Sequence, residues 1–153
     1  MCLILVAAAP ACERERLEDA ARKAAAAGLR VEMEHPPRWP WARQTPARAV
    51  ISEEGGCACS LLSDQADWNA DTWAMRPEIL EQLARTLQIL VEDGPPNLSV
   101  QALWVGETPG ETIRVTAATL VTLARSSRLG TRTRYELNRG DAGEQTASNN
   151  TRS

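Results

Sequence analysis

ARAVISEEGGCACSLL, residues 47–62, decides between two classes of fold. Residues 47–52 and 57–62 are short apolar runs, and Glu53-Glu54-Gly55-Gly56 between them has the composition of a tight turn. The pattern predicts a hairpin. A connection this short cannot carry the chain across a sheet to a parallel neighbour, which takes about a dozen residues or more. A doubly wound parallel sheet is therefore disfavoured, and an antiparallel or mixed sheet is expected. The same stretch holds Cys57 and Cys59, two of the chain's four cysteines, so chemistry is sought there first.

Upstream, residues 2–8 form a continuous apolar run that fits a buried strand. Pro10 punctuates, and residues 11–27 carry Leu17, Ala20, Ala21 and Ala24 at helical spacing up to a stop at Gly28. Residues 29–34 alternate Leu29, Val31 and Met33 with Arg30, Glu32 and Glu34, the period of a half-buried strand. Residues 35–46 contain four prolines and cannot be regular structure.

Downstream, residues 63–76 are polar and acidic, with Trp68 and Trp73 expected as core plugs. Pro77 suits the first turn of a helix whose Ile79, Leu80, Leu83, Leu87 and Leu90 line one face until Gly94-Pro95-Pro96. Residues 98–105 read as a strand, and 112–115 as a strand returning beside it after a turn at Pro109-Gly110. Thr116 is the expected N-cap of a helix over residues 117–128, in a segment whose threonines also suit a strand. Residues 133–137 read as a last strand. From Asn138 onward nothing aliphatic exceeds Ala, so residues 138–153 are expected to form a disordered polar tail.

Helices separated by hairpins predict one α+β domain over residues 1–137, with helices packed on one face of a mixed or antiparallel sheet. A ferredoxin-like variant is the leading arrangement. The chain has five Trp, one Tyr and no Phe, so Leu, Val, Ile and Ala must build most of the core. A net charge of −3 argues against non-specific binding to nucleic acid or anionic lipid. No Lys or Arg precedes the N-terminal apolar run, and nothing approaches the ~20 apolar residues of a membrane span. The expectation is a cytoplasmic protein with its cysteines as thiols or metal ligands.

Cys57 and Cys59 are the candidate catalytic residues. In regular strand they would share a face with Cα atoms roughly 6.5–7 Å apart, at the limit of disulfide geometry. Two thiolates do not complete a tetrahedral zinc site. Cys12, after the first strand, and His35, after the second, are expected at the same sheet edge and could join them. The alternative is that these cysteines are small buried hydrophobes. His35 is the only histidine, so any imidazole-activated Ser60 or Cys59 must use it. Met1-Cys2 before an apolar strand resembles, over residues 1–6, the start of N-terminal-nucleophile hydrolases. That resemblance implies removal of Met1 and a Cys2 thiol activated by its own amine. It also implies a first strand that turns back into a second, whereas Pro10 here leads into a helix.

Trp39-Pro40-Trp41 in the proline-rich segment is a candidate partner-binding loop, with core packing of Trp39 and Trp41 as the alternative. Arg125, Arg128, Arg132 and Arg134 form the one basic concentration, and Arg128, Arg132 and Arg134 are candidate contacts to an anion or acidic partner. Asp64, Asp67 and Asp71 could share a helical face and bind a hard cation, or serve as a solvated acidic loop with capping roles. There is no glycine-rich phosphate loop, HExxH, CxxC or dinucleotide fingerprint, and no cofactor is expected. The reading is a binding or interaction module, its partner a protein or a second copy of the chain. The alternative is a thiol-dependent enzyme or a redox or metal-binding protein using the Cys57/Cys59 edge.

Overall fold

In the computed structural model, which describes residues 3–35, 45–55, 57–64, 66–67, 70–104 and 107–138, β1 (Leu3–Ala9) runs through the middle of the sheet. Its alternation sends Leu3, Leu5, Ala7 and Ala9 into the main core, each at most 4% exposed. Ile4, Val6 and Ala8 point to the opposite face. After a single 3-10 turn, Ala11–Glu13, the chain enters helix α1 (Arg14–Ala27). The expected small stripe of Leu17, Ala20, Ala21 and Ala24 is its buried face. α1 lies over β1, β2 (Arg30–Met33) and β3 (Ala47–Ser52). The amphipathic stripe after Pro77 forms α2 (Leu80–Asp93), which buries Leu83, Ala84, Leu87, Leu90 and Val91 and packs against α1.

β4 (Ser99–Trp104), β5 (Glu111–Val115), α3 (Ala117–Arg125) and β6 (Thr133–Leu137) complete the described elements. Thr116 caps α3 as its sequence position suggested, its Oγ1 accepting the Thr119 N–H at 3.1 Å. The helix ends three residues before the expected Arg128, where Ser127 takes a left-handed φ of 58°. α2 packs against α3 as well as α1, so all three helices contribute to one continuous core on one side of the sheet.

The sheet order is β2-β3-β1-β4-β6-β5. β3 lies antiparallel between β1 and β2, and β1 lies antiparallel between β3 and β4. The first four strands with α1 and α2 therefore have the split β-α-β connectivity of the ferredoxin-like motif. β6 extends this sheet antiparallel to β4, and β5 forms the edge, parallel to β6. The fold class is α+β with a mixed sheet.

Neither expected hairpin forms. Residues 57–62 do not return beside β3 as a strand; Cys59–Leu61 is a 3-10 turn, and Leu62 makes an isolated bridge to Met75. β5 does not pair with β4. One physical reason covers both. Each strand has two edges, and β3 spends its edges on β2 and β1 while β4 spends its own on β1 and β6. No backbone of β3 or β4 remained for a hairpin partner. α3 supplies the crossover that a parallel β5–β6 pair requires.

Two close approaches fix the helical layer. Thr86, fully buried on α2, accepts the Leu29 N–H and donates to the Gln82 carbonyl, both at 2.8 Å. A Cβ on Gly28 would stand 2.3 Å from that same Thr86 Oγ1, so only glycine lets α1 end this near α2. At the other side of the core Trp73 meets Trp104 edge to face, with ring centroids 5.0 Å apart. The Trp73 indole N–H donates to the Ala102 carbonyl at 3.2 Å. Trp73 is thus the core plug the composition called for.

Candidate functional site

Strand alternation sorts most of the charged residues of the sheet onto the face without helices. Arg48 pairs across from Ala8, Glu32 from Val50, Gln101 from Arg134, and Ser99 from Glu136. Arg114 on β5 lies beside Glu136 in register. The centre of this face is apolar, with Ile4 and Val50 half-buried and Val6 and Leu103 buried. Its rim is charged.

At the end where β1 finishes and β4 begins, this face opens into a cleft of about 490 Å³. Ala8 and Ser99 are among its small lining residues, and Pro10 and Pro46 bound it. Arg114 and Arg134 both line it and converge on one carboxylate. Arg114 Nε stands 3.9 Å from Glu136 Oε2, and Arg134 Nη2 stands 3.6 Å from Glu136 Oε1. Their side chains are 68% and 44% exposed, so both guanidinium groups can reach a ligand without breaking the fold. Asn97 also lines the cleft, its Nδ2 donating to Glu13 Oε1 at 3.2 Å. Among the described lining residues the formal charge is +1, from two arginines and one glutamate.

Arg134 thus sits in a cleft, but the basic segment does not act as one patch. Arg128 lies in the exposed loop after α3. Arg132, at a left-handed φ of 59°, lines a separate cleft of about 270 Å³ with Asp71, Glu107, Glu111 and Trp104. Three carboxylate residues line that cleft with it. Arg114 was not singled out by its sequence. The available signal was the alternation of Thr112 and Arg114 with Ile113 and Val115, which places Arg114 on the polar face once residues 111–115 are a strand.

Cys57 and Cys59 lie at the opposite end of β1. The Ala58 N–H donates to the Leu3 carbonyl at 2.8 Å, and the Leu3 N–H donates to Cys59 Sγ at 3.1 Å. Cys57 and Cys59 are both half-buried thiols. Cys12 is exposed in the turn after Ala9, and His35 is exposed just past β2, which runs parallel to β1. The length of β1, roughly 20 Å at ~3.3 Å per residue, separates these two groups. The expected gathering of Cys12, His35, Cys57 and Cys59 at one edge does not occur, because the 57–61 segment turns beside the start of β1 and does not run back along β3. For the same reason His35 cannot serve Cys59 or Ser60. Among the described residues no group of three or more His, Cys, Asp or Glu is placed to hold a metal ion.

Asp64, Asp67 and Asp71 do not share a helical face, since no helix covers them among the described residues; the Ala66 and Ala70 N–H groups donate to the Ser63 and Asp67 carbonyls. Trp39, Trp41, Trp68, Cys2 and residues 139–153 lie outside the described residues. β1 leads into α1 and not into a returning strand, a departure from the N-terminal-nucleophile pattern. No helix among the described residues is long and apolar enough to cross a membrane. No protein-family model matches this sequence, and neither a curated protein nor a solved structure matches it.

Proposed function

We propose that this chain is a binding module that engages an acidic segment of a protein partner through the Arg114/Arg134 cleft. The observation that carries the reading is the convergence of two exposed guanidinium groups on a single carboxylate inside a concave site. Guanidinium groups present planar pairs of donors that match carboxylates in bidentate fashion. Glu136 holds the two arginines near each other when the site is empty, and an incoming carboxylate replaces part of that contact. The small Ala8 and Ser99 side chains leave room for the approach. A cytoplasmic setting fits this reading, as does the acidic overall charge, which confines attraction for anions to this local patch.

The test is fluorescence anisotropy of a labelled oligoglutamate peptide against the full chain at low and at moderate salt. Arg114→Gln with Arg134→Gln should weaken binding by at least about tenfold, or ~1.4 kcal/mol. The melting temperature should stay nearly constant, because ion pairs this exposed contribute little to stability. Added salt should weaken the wild-type complex through screening. Equal binding by wild type and double variant, or no binding by either, would reject the proposal.

A further inference from the structure

We propose that Cys57 and Cys59 form a thiol–disulfide exchange site, independent of the arginine cleft and at the other end of β1. Three observations converge on this pair. The first is backbone geometry. A strand would hold the two Cα atoms too far apart for comfortable bridging, but Ala58 has φ −97° and ψ 13°. A residue turned in this way brings its two neighbours' Cα atoms to about 5.4 Å, the spacing of alternate residues in a helix. That Cα spacing lies inside the ~4.4–6.8 Å range of natural disulfides, and closing the bond takes a rotation at Cys57, which is in neither helix nor strand, to turn its Cβ toward Cys59. Gly55, at φ 108°, precedes the pair in a conformation that other residues resist.

The second observation is the hydrogen bond from the Leu3 N–H to Cys59 Sγ at 3.1 Å. A thiolate accepts such a bond more strongly than a thiol, so a donor fixed by the sheet favours the nucleophilic form of Cys59. The third is placement. The pair lies in a turn anchored between the two cysteines by Ala58 N–H to Leu3 O and just after them by Arg76 N–H to Leu61 O, at 2.8 Å each, and both cysteines are half-buried rather than enclosed. A small-molecule disulfide can reach them, and the anchored backbone keeps them together after it leaves.

The chemistry balances with a small disulfide, RSSR, as oxidant. The Cys59 thiolate attacks one sulfur of RSSR, forming a mixed disulfide and expelling RS⁻. The Cys57 thiol, losing its proton to solvent, attacks Cys59 Sγ, forms the Cys57–Cys59 bond and expels a second RS⁻. The protein loses two electrons and two protons, and RSSR becomes two RSH. The ring so closed contains a single intervening residue, Ala58. A ring so tight is strained, and strained disulfides are the labile ones with more oxidising potentials. The oxidised site therefore passes its disulfide on to other thiols.

Full-length protein is equilibrated with oxidised and reduced glutathione over a range of ratios, quenched with acid and mapped by proteolysis and mass spectrometry. The expected result is a peptide that loses the mass of two hydrogens, with the link between Cys57 and Cys59, appearing at oxidising ratios and reversing on added reduced glutathione. Cys57→Ser should instead trap Cys59 as a glutathionyl mixed disulfide, which also identifies the attacking sulfur. Two results would overturn the proposal. One is that Cys57 and Cys59 remain reduced at ratios that glutathionylate the exposed Cys12. The other is that wild-type protein carries separate glutathionyl groups on Cys57 and Cys59 with no internal link. Wild-type protein alone distinguishes these results, so a poorly folding variant cannot obscure them.

Discussion

Replacing Thr86 by Val tests the joint between the helical layer and the sheet. The two side chains have nearly the same shape, so no cavity opens. The change removes one oxygen that accepts the Leu29 N–H and donates to the Gln82 carbonyl, each at 2.8 Å. Gln82 O keeps its place in the helical ladder of α2, but the Leu29 N–H, on a residue 3% exposed, is left without its acceptor. An orphaned buried donor costs about 1–3 kcal/mol. Burying a methyl in place of the hydroxyl returns up to ~0.8 kcal/mol. With the full methyl gain the net expectation is a loss of ~0.2–2 kcal/mol, which for a chain of this size lowers the melting temperature by up to ~8 °C. Urea unfolding should show a lower midpoint with an unchanged slope, since the surface exposed on unfolding is the same. Amide exchange at Leu29 should accelerate more than that of its neighbours in β2. A variant as stable as wild type, with Leu29 exchange unchanged, would refute the claim that this hydroxyl joins the end of α1 to α2.

Two further outcomes follow from the packing. A Cβ at Gly94 would lie 2.0 Å from the Leu90 carbonyl oxygen, a backbone atom that cannot yield, so Gly94→Ala should cost ~2–3 kcal/mol in a thermal or urea melt. Trp73→Phe should lose ~1 kcal/mol with the hydrogen bond to Ala102 while retaining an aromatic contact to Trp104, whereas Trp73→Ala should lose roughly 3–5 kcal/mol. Near-identical melts for the two Trp73 variants would show that the indole does not fill the core as described.

Local order was legible wherever a single element's own period carried the information. The Leu17–Ala24 stripe marks α1, Leu83, Leu87 and Leu90 mark α2, and Thr116 marks the start of α3 through a bond formed within one turn. The alternation of Val31 and Met33 with charged neighbours marks β2 in the same way. The candidate sites were only half legible. Arg134 and the two cysteines stand out by residue type, but Arg114 becomes notable only when β5 and β6 lie side by side and Glu136 falls between the two arginines.

By itself the sequence determined the periodic elements, α1, α2 and strands such as β1 and β2, which face of each is apolar, and that the fold is α+β, but not that residues 57–62 would form a turn and no strand. Those properties depend on side-chain spacing along a continuous stretch of chain. Partnership between strands depends on something no local pattern contains: the number of sheet edges still open when the chain returns. Because β2 and β1 occupy β3, and β1 and β6 occupy β4, both expected hairpins were displaced. The 57–61 segment forms a turn beside the start of β1, and β5 lies on the outside of β6. That competition for backbone hydrogen bonds, settled only in the assembled sheet, separated Cys12 and His35 from Cys57 and Cys59 and brought Arg114 to Arg134.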